Sequence, residues 1–435
     1  MKDSRRAKAL VSEYFIFVIF IALVVVLTCL KPSFIQPANL VNILKQASIN
    51  GILAFGMMFV IIAGGFDMSV GSTVAFTGIL AAMLGQGQYP IIVPLVVAML
   101  GGLAVGIVNG VGIAVGNLPP FIMTLGTMTA VRGLALLISN GKPVIGISWS
   151  YNGQNYDSHK TIFKTVGAIP VELDQVTSTA VKYDAEGKIE SAYLEESGML
   201  KQEYADKVKE KDLTASNVGA VMQAIDGVFF TGGEDVSPSL FKVPEKEKNE
   251  GEEINATRDI SDYMLMAYCL EKDVPTFAVC RGEQVMSIVS GCTFIQDIPN
   301  YYKEQGKTYN DTHRMPADAP DRTYARHDVT INKDASKWLY KIVGSTELKN
   351  VSSWHHQAVG GVEGTNLTVV STATIDGVEI IEAVERQDKT FCLGVQFHPE
   401  NDCKFVLYTK TPEKALCDYE TCLNFFEMLV EYAGK

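Results

Sequence analysis

Long apolar runs fill the first third of the chain. Several approach the ~20 residues that an α-helix needs to cross a bilayer, and glycine is frequent in them, as in packed membrane helices. A cleaved signal peptide does not account for the pattern, because apolar segments continue far past the first one. The pattern predicts an all-α transmembrane segment of four to five helices within residues 1–141. The apolar runs span residues 14–30, 49–64, 70–84, 91–115 and 121–139.

From about residue 142 the apolar runs become short and alternate with amphipathic stretches. Helical patterns at 260–270 and 284–289 alternate with the earlier strands, which predicts a parallel sheet with helices on both faces and a site at the carboxyl ends of its strands. A polar stretch at about 174–217 predicts a surface insertion, although long functional loops and lids have a similar composition. The predicted strands are 144–147, 227–231, 276–279, 367–371, 380–384 and 392–397.

Charge divides the chain at the same place. Residues 1–141 contain seven basic and three acidic residues, which is a net charge of +4. The whole chain has a net charge of −12, so residues 142–435 carry −16. An acidic second part argues against nucleic-acid binding. The basic residues Lys2, Arg5, Arg6 and Lys8 precede the first apolar run and predict a cytoplasmic N-terminus. Five crossings would then place the second part outside.

Cysteine usage points to the opposite compartment. Seven of the eight cysteines lie after residue 142, an odd number without the regular spacing of a disulfide framework, which is typical of a reduced cytosolic enzyme. Either one apolar segment is re-entrant, or the two parts did not evolve together. We find no Cys-x-x-Cys pair and no histidine cluster with zinc spacing, and therefore predict no metal site.

A string at residues 277–284 contains the candidate nucleophile. An apolar run ends at Cys280, which has the small residues Ala278 and Gly282 two positions before and after it. Such a run turns abruptly into a helix with the nucleophile at the tip, and the helix N-terminus favours the thiolate. A lone cysteine is otherwise commonly a small buried hydrophobic residue, so Cys280 alone decides little.

A second string, at residues 394–400, supplies two further groups. His398 lies 118 residues after Cys280 and is a candidate base. Glu400 lies two residues further along a predicted strand, where alternation places both side chains on one face and lets the carboxylate orient the imidazole. Cys280, His398 and Glu400 are therefore the candidate catalytic triad of a nucleophilic hydrolase.

Residues 142–435 resemble the class I glutamine amidotransferase superfamily, and within it most closely the gamma-glutamyl-gamma-aminobutyrate hydrolase family. The resemblance implies a flavodoxin-like fold and cofactor-free hydrolysis of gamma-glutamyl amides, such as gamma-glutamyl-gamma-aminobutyrate, to glutamate and an amine through a cysteine thioester. The alternatives are a glutaminase subunit that supplies ammonia to a partner synthetase, and a membrane component of a sugar ABC transporter. The resemblance rests on residues 143–147, 226–238, 277–284, 291–297, 353–358 and 394–400.

The same resemblance implies further site residues. The backbone N–H groups of Gly233 and Arg281 would form the oxyanion hole. Gln284, His355 and His356 would lie at the substrate. For the two histidines we favour a structural or substrate-wall role over that of a second base, because no carboxylate follows at triad spacing.

Residues 1–141 resemble the N-terminal half of ribose-type sugar ABC transporter permeases, through residues 64–72, 109–110 and 119–133. Asp67 would cap the next helix or line a substrate path, and Arg132 should face protein or water rather than lipid. The later part of the permease pattern does not follow, so we expect neither active transport nor an ABC ATPase partner.

The two resemblances meet without a linker. The string at residues 140–147 fits both families at once, whereas domain boundaries normally fall in flexible polar stretches. We take the boundary at 141/142 and favour a recombination or sequence-assembly product over a selected fusion. The predicted location is a multi-pass membrane protein with a hydrolase domain of cytoplasmic origin.

Overall fold

The computed structural model describes residues 15–30, 35, 37–85, 89–139, 141–150, 154–240, 254–316 and 324–435. The chain divides into two compact units, one of residues 1–67 with 184–187 and one of residues 68–183 with 188–435. The first unit contains two apolar helices, α1 (Phe15–Leu30) and α2 (Pro37–Ile62). The basic residues that predict a cytoplasmic N-terminus, and Asn140 at the join, lie outside the described residues.

Three apolar helices begin the second unit: α3 (Val70–Gly85), α4 (Ile92–Ala114) and α5 (Pro120–Ile138). All five apolar runs of the sequence are thus helical. In the described part of the chain, α4 is the helix that is long and apolar enough to cross a membrane, whereas the apolar helices Ile19–Cys29, Gly51–Ile62 and Val70–Gly85 are shorter. Length and composition therefore support one clear span, fewer than the four to five that we expected.

The strings that resemble permeases meet in this helical part. The side-chain amide of Asn109 donates to the hydroxyl of Ser69 at 2.9 Å, and both residues are buried. The backbone N–H of Met68 donates to the hydroxyl of Thr124 at 3.1 Å. Each of the three strings thus supplies a polar group that forms a hydrogen bond with a polar group of another string.

Arg132 of α5 is exposed, and the expectation that it faces protein or water rather than lipid stays a prediction. Its charge acts on Asp226. Burial raises the pKa of the Asp226 carboxyl, and the N–H of Val144 and the charge of Arg132 oppose that rise. The roles predicted for Asp67 are untested and stay predictions.

A nine-stranded sheet forms the centre of the remaining chain, in the order β2-β1-β3-β4-β11-β10-β9-β6-β7. Its first five strands are parallel, and with β11 as the fifth strand they have the flavodoxin-like order 2-1-3-4-5. The strands are β1 (Val144–Ile147), β2 (Ile169–Glu172), β3 (Gly227–Phe230), β4 (Thr276–Val279), β6 (Ala325–Ile331), β7 (Glu347–Ser353), β9 (Thr368–Ile375), β10 (Val378–Glu385) and β11 (Cys392–Val395).

The expectation of a purely parallel sheet is wrong for its second half. Strands β10, β9, β6 and β7 pair antiparallel, and β10 joins them to the parallel part through β11. Short turns such as Asp376–Gly377 connect β9 to β10, and a tight connection of this kind is possible only between antiparallel strands. A separate two-stranded sheet contains β5 (Thr293–Ile295) and β8 (Ala358–Gly361).

Helices cover both faces of the large sheet. The core on one face includes α9 and α10, and the core on the other includes α6 and α14. The helices are α6 (Asp157–Thr165), α7 (Gln202–Lys209), α8 (Val218–Val221), α9 (Ala256–Lys272), α10 (Arg281–Ser290), α11 (Ile298–Glu304), α12 (Leu339–Val343), α13 (Pro399–Leu407) and α14 (Tyr419–Ala433).

The polar stretch at 174–217 is more than a surface insertion. Its apolar residues Val176, Val181 and Leu200 are buried in the same core as α9. The backbone N–H of Val176 donates to the hydroxyl of Ser261 on α9 at 3.0 Å. The stretch therefore covers α9, and its polar composition reflects only its outer side.

Candidate active site

Cys280 lies at the turn between β4 and α10, as its small neighbours predict. Its backbone has φ +51° and ψ −110°, a conformation that side chains rarely adopt and that costs on the order of 1–3 kcal/mol. A Cβ at Gly282 would lie 2.6 Å from the Cβ of Phe230 on β3, so that only glycine fits there. The tight packing of α10 against β3 thus holds the strained cysteine at the helix N-terminus.

His398 and Glu400 contact each other, but not for the reason that we expected. Strand β11 ends at Val395, and His398 is the residue that precedes α13, with Pro399 at the first position of that helix. The Nδ1 atom of His398 lies 2.6 Å from Oε1 of Glu400. The pair is therefore made by a helix N-terminus, whose start Pro399 favours, and the strand alternation that we assumed is wrong.

The electrostatics of His398 favour a protonated ring. Burial lowers the pKa of its imidazole, but the charges of Glu400 and of Cys280 raise it, and the net result is a pKa well above the ordinary value. The Nε2 atom is buried without a nitrogen or oxygen partner among the described residues. Because Glu400 holds Nδ1, Nε2 is the nitrogen that remains for the thiol.

The turn after β3 approaches both Cys280 and His398. A Cβ at Gly232 would lie 2.8 Å from Cε1 of His398 and 3.5 Å from the Cβ of Cys280. Gly233 has φ +155°, and a Cβ there would lie 1.9 Å from Nη1 of Arg258. Both glycines are therefore required by close approach, which is the condition for a backbone N–H to face the reacting atoms.

Two buried arginines fix the surroundings of this turn. Arg258 of α9 donates from Nη2 to the carbonyl of Gly232 at 2.8 Å and to the hydroxyl of Thr231 at 2.9 Å. The side chain of Arg281 turns away from the cleft, because its guanidinium pairs with Asp259 at 2.6 Å and with Asp262. Only the backbone N–H of Arg281, at the first position of α10, is therefore available for an oxyanion.

Gln284, His355 and His356 all line the cleft with Cys280. The side-chain amide of Gln284 is buried and donates to the carbonyl of Gln357 at 3.2 Å and to the side chain of Gln396 at 3.1 Å, so its contacts are structural. His355 belongs mainly to a buried histidine cluster behind the cleft, which is described below.

His356 is held between two carboxylates. Its Nε2 lies 3.0 Å from Asp235 and its Nδ1 lies 3.2 Å from Asp297. Burial lowers the pKa of His356, but the hydrogen bonds to the two carboxylates raise it, to about 9 overall. The imidazolium therefore ties the turn after β3 to the start of α11.

The cleft has a volume of about 420 Å³ and includes aromatic and charged residues that the sequence patterns did not single out. The Cys280 sulfur lies 3.8 Å from the carbonyl oxygen of Trp354, and the ring of Tyr324 packs 5.1 Å from that of His398. Trp354 was within reach of sequence reasoning, because it stands in the string at 353–358. No local pattern marks Tyr324, or the cleft residues Tyr156 and Arg314.

Two family models match different parts of the chain. Residues 208–400 match Peptidase C26, a range that contains all eight candidate site residues. Residues 39–165 match the model described as "Branched-chain amino acid transport system / permease component", which extends past the boundary at 141/142. The chain therefore joins a permease-like segment to a Peptidase C26 domain, and the latter supports a cysteine-dependent amide hydrolase as the class of the domain.

Similar curated proteins cover the N-terminal part. The chain is 40% identical over 135 residues to the ribose import permease of Bacillus subtilis (strain 168), which is 31% of this chain and 42% of that protein. It is 38% identical over 136 residues to the L-arabinose ABC transporter permease of Azospirillum brasilense, 31% of this chain and 40% of that protein. The chain thus spans about two fifths of the length of these relatives.

Solved structures of low similarity cover the C-terminal part. A glutamine amidotransferase of Thermotoga maritima is 13% identical with a TM-score of 0.38, and covers 67% of this chain and 98% of its own. The glutaminase domain of Trypanosoma brucei CTPS with bound acivicin is 17% identical with a TM-score of 0.36. The match covers 67% of this chain and 94% of that domain's chain. These scores are too low to bear on function.

Proposed function

We propose that the domain hydrolyses gamma-glutamyl amides through a thioester on Cys280. The observation that carries the proposal is the strained cysteine at the N-terminus of α10 beside an imidazole that Glu400 holds at 2.6 Å. A nucleophile, a base and a group that orients the base are the parts that nucleophilic catalysis needs. The Peptidase C26 match supports the same class of chemistry.

In the first half-reaction the Cys280 sulfur attacks the gamma-carbonyl carbon and forms a carbon–sulfur bond. The carbonyl oxygen becomes an oxyanion, which the N–H groups of Gly233 and Arg281 stabilise. When the carbon–nitrogen bond breaks, the proton on Nε2 of His398 passes to the leaving nitrogen, and the amine departs. Loss of one oxyanion donor typically costs about 3 kcal/mol of transition-state stabilisation.

In the second half-reaction a water molecule attacks the thioester carbon. His398 is now neutral and takes a proton from this water, while Glu400 keeps the ring oriented. The carbon–sulfur bond then breaks, glutamate leaves, and Cys280 returns to the thiolate beside a protonated His398. The enzyme is restored without a cofactor.

The charges of the cleft suit a gamma-glutamyl group, which carries an α-carboxylate and an α-ammonium. Arg314 lines the cleft, with its guanidinium 5.8 Å from the ring of Trp354, and is the candidate partner of the α-carboxylate. Asp235 lines the same cleft and is the candidate partner of the α-ammonium. Gamma-glutamyl-gamma-aminobutyrate is the substrate that we expect from the sequence resemblance.

The test is a panel of gamma-glutamyl amides and free glutamine, assayed for release of glutamate by the purified chain. We expect faster turnover of gamma-glutamyl amides than of glutamine, and trapping of the acyl group by hydroxylamine as the hydroxamate. A strong preference for glutamine, raised further by an added synthetase, would instead favour a glutaminase subunit. If no member of the panel yields a hydroxamate, the proposed thioester intermediate is wrong.

We also infer that the apolar helices are embedded in a membrane as several spans. Large apolar side chains are exposed along them, among them Ile52, Phe59, Met99 and Leu137 at 59–75% of their surface. Such exposure is unfavourable in water and favourable in lipid. Resistance of the chain to carbonate extraction and protection of these helices from proteases would support this, and release into the aqueous phase would oppose it.

Sugar import by the N-terminal part is a separate question. The relatives are named as import permeases, and the Asn109–Ser69 and Thr124–Met68 contacts are those of packed, specific helices. The expectation that no ABC ATPase couples to this chain stays a prediction. Co-purification of an ATPase with the chain, followed by ATP-dependent sugar uptake, would overturn it.

A further inference from the structure

Behind the cleft lies a second group of histidines, which the mechanism does not use. We name it the histidine cluster: His313, His327, His355 and Glu382. One ligand atom from each of the four lies within 4.8 Å of the others, and all four residues are buried. They come from the segment before β6, from β6, from the β7–β8 connection and from β10, so the fold alone brings them together.

The distances within the cluster are those of a coordination shell. Oε1 of Glu382 lies 3.1 Å from Nδ1 of His313 and 3.6 Å from Nε2 of His327 and of His355. In a tetrahedral zinc site with bonds of about 2.0–2.1 Å, neighbouring ligand atoms lie roughly 3.4 Å apart. The three nitrogens are therefore placed around the carboxylate oxygen as ligands of one ion would be.

In two of the three imidazole rings, the nitrogen outside the cluster is already engaged. Nδ1 of His355 lies 2.9 Å from the carbonyl of Gln357, and Nδ1 of His327 lies 3.3 Å from the carbonyl of Asp328. Metal-binding histidines commonly donate their second N–H to a backbone carbonyl in this way, which fixes the tautomer and directs the lone pair to the metal. Nε2 of both rings then faces the carboxylate.

The inner atoms have no other hydrogen-bond partner among the described residues. These are Nε2 of His327 and His355, both ring nitrogens of His313 and both oxygens of Glu382. Buried polar atoms without partners are costly, and a bound cation would satisfy several of them at once.

We propose that His313, His327, His355 and Glu382 bind one Zn²⁺ ion in a closed, four-coordinate structural site. Three imidazole nitrogens and one carboxylate oxygen suit zinc, and four protein ligands complete a tetrahedral shell, which leaves no position for substrate. The ion would tie the segment around His313 to the connection that carries Trp354 and His356. It would thereby fix one wall of the cleft without taking part in the reaction.

The sequence predicted no metal site because that prediction depended on local residue spacing alone. The cluster residues are separated by 14, 28 and 27 positions, which match no zinc motif. The string at 353–358 contains one residue of the cluster, His355. The histidine next to it, His356, has different partners. The antiparallel pairing of the strands, which we did not predict, places β6 near β10.

The test measures zinc in the full chain, purified in detergent, loaded with zinc and passed over a desalting column. We expect about one zinc per chain and a melting temperature that falls on chelation and recovers on adding zinc. Glu382→Gln and His327→Gln should lose both the bound zinc and the response of the melting temperature. His356→Gln, a matched histidine variant outside the cluster, and Cys280→Ala, which removes the thiol of the cleft, should keep both.

Cobalt substitution makes the test independent of how well the variants fold. Wild-type chain loaded with Co²⁺ should give the intense visible absorption of a tetrahedral site without a thiolate charge-transfer band. A charge-transfer band would place the ion on a cysteine and overturn the proposal. Substoichiometric zinc in the wild type, or zinc content unchanged in Glu382→Gln, would overturn it as well.

Discussion

In two groups of this domain, the candidate triad and the histidine cluster, imidazoles contact a carboxylate. The groups differ in the number of imidazoles for each carboxylate. In the candidate triad one imidazole faces one carboxylate, and the pKa of His398 is raised by Glu400 and Cys280 against the effect of burial. In the histidine cluster three imidazoles share one carboxylate. There burial lowers the pKa of His313 and of His327, and the charge of Glu382 only partly offsets it.

The difference teaches what decides the role of a buried histidine. A carboxylate of its own stabilises the protonated ring, which can then give and take a proton. The lowered pKa of His313 and of His327 favours the neutral ring, which keeps a lone pair for a ligand bond. His356 is the third case: with two carboxylates at 3.0 and 3.2 Å, its pKa rises to about 9, and it acts as a fixed cation.

The largest effect should come from removing the group that only the triad has, the thiol. Cys280→Ala should lower kcat/KM for a gamma-glutamyl amide by about 10⁴-fold or more, because no other nucleophile replaces the sulfur. Stopped assays of glutamate release measure it. Cys269→Ala is a matched control, since Cys269 is also buried but lies on α9, and it should keep most of the activity. Comparable losses in the two variants would mean that Cys280 matters for folding only.

The second effect breaks the pairing within the triad. Glu400→Gln keeps the shape of the side chain but removes the charge that raises the pKa of His398. We expect kcat/KM to fall by about 10³-fold. We also expect the alkaline limb of the pH profile to move to lower pH, because the imidazolium then loses its proton more easily. A pH profile that falls in height without moving would show that Glu400 acts on the fold and not on His398.

The sequence was sufficient for the parts of this comparison that depend on local patterns. Small neighbours at Ala278 and Gly282 predicted the turn at Cys280, and the apolar runs predicted five helices and most strands of the parallel half. The pairing of His398 with Glu400 was predicted for a wrong reason, since Pro399 starts a helix where we assumed a strand.

What the sequence could not give is what distant segments build together. The strands β9 and β10 were predicted, but β6 and β7 carry few long apolar runs and were missed, and so was the antiparallel pairing of this half of the sheet. The sequence patterns therefore did not single out His313 and His327. Arg258 is likewise unremarkable in sequence, and its importance follows from burial against the turn at Gly232, which only the packing of α9 on the sheet creates.

The third effect concerns the turn that the two glycines make. Gly232→Ala places a Cβ 2.8 Å from Cε1 of His398, so the ring or the turn must move. A displacement of this size at a reacting group can cost about 10²-fold in kcat, with a smaller change in KM. Gly219→Ala is the control, because a Cβ there meets nothing within 4 Å and its backbone is not in the left-handed region. Equal kinetics in the two variants would separate this turn from the reacting groups.

The smallest effect is on stability, and it tests His356, the histidine that lies between two carboxylates. The pKa of His356 is raised from 6.5 to about 9 in the folded chain, and its side chain is only 12% exposed. The folded state therefore binds the proton more tightly than the unfolded state. This stabilisation is fully present below about pH 6.5, is lost as the pH rises through about 9, and is on the order of 3 kcal/mol. His356→Gln should remove this dependence on pH, measured as melting temperature between pH 6 and 10.

His159 provides the matched control with the opposite sign. Burial lowers the pKa of its imidazole, against the charge of Glu400, and its ring packs on Tyr156 and Phe229 with no ion pair to another described residue. The unfolded state then binds the proton more tightly, so the wild type should lose stability relative to His159→Gln as the pH falls below about 6.5. If both variants shift the melting temperature in the same direction with pH, the number of carboxylates around each ring does not decide its charge, and the comparison between the triad and the histidine cluster loses its physical basis.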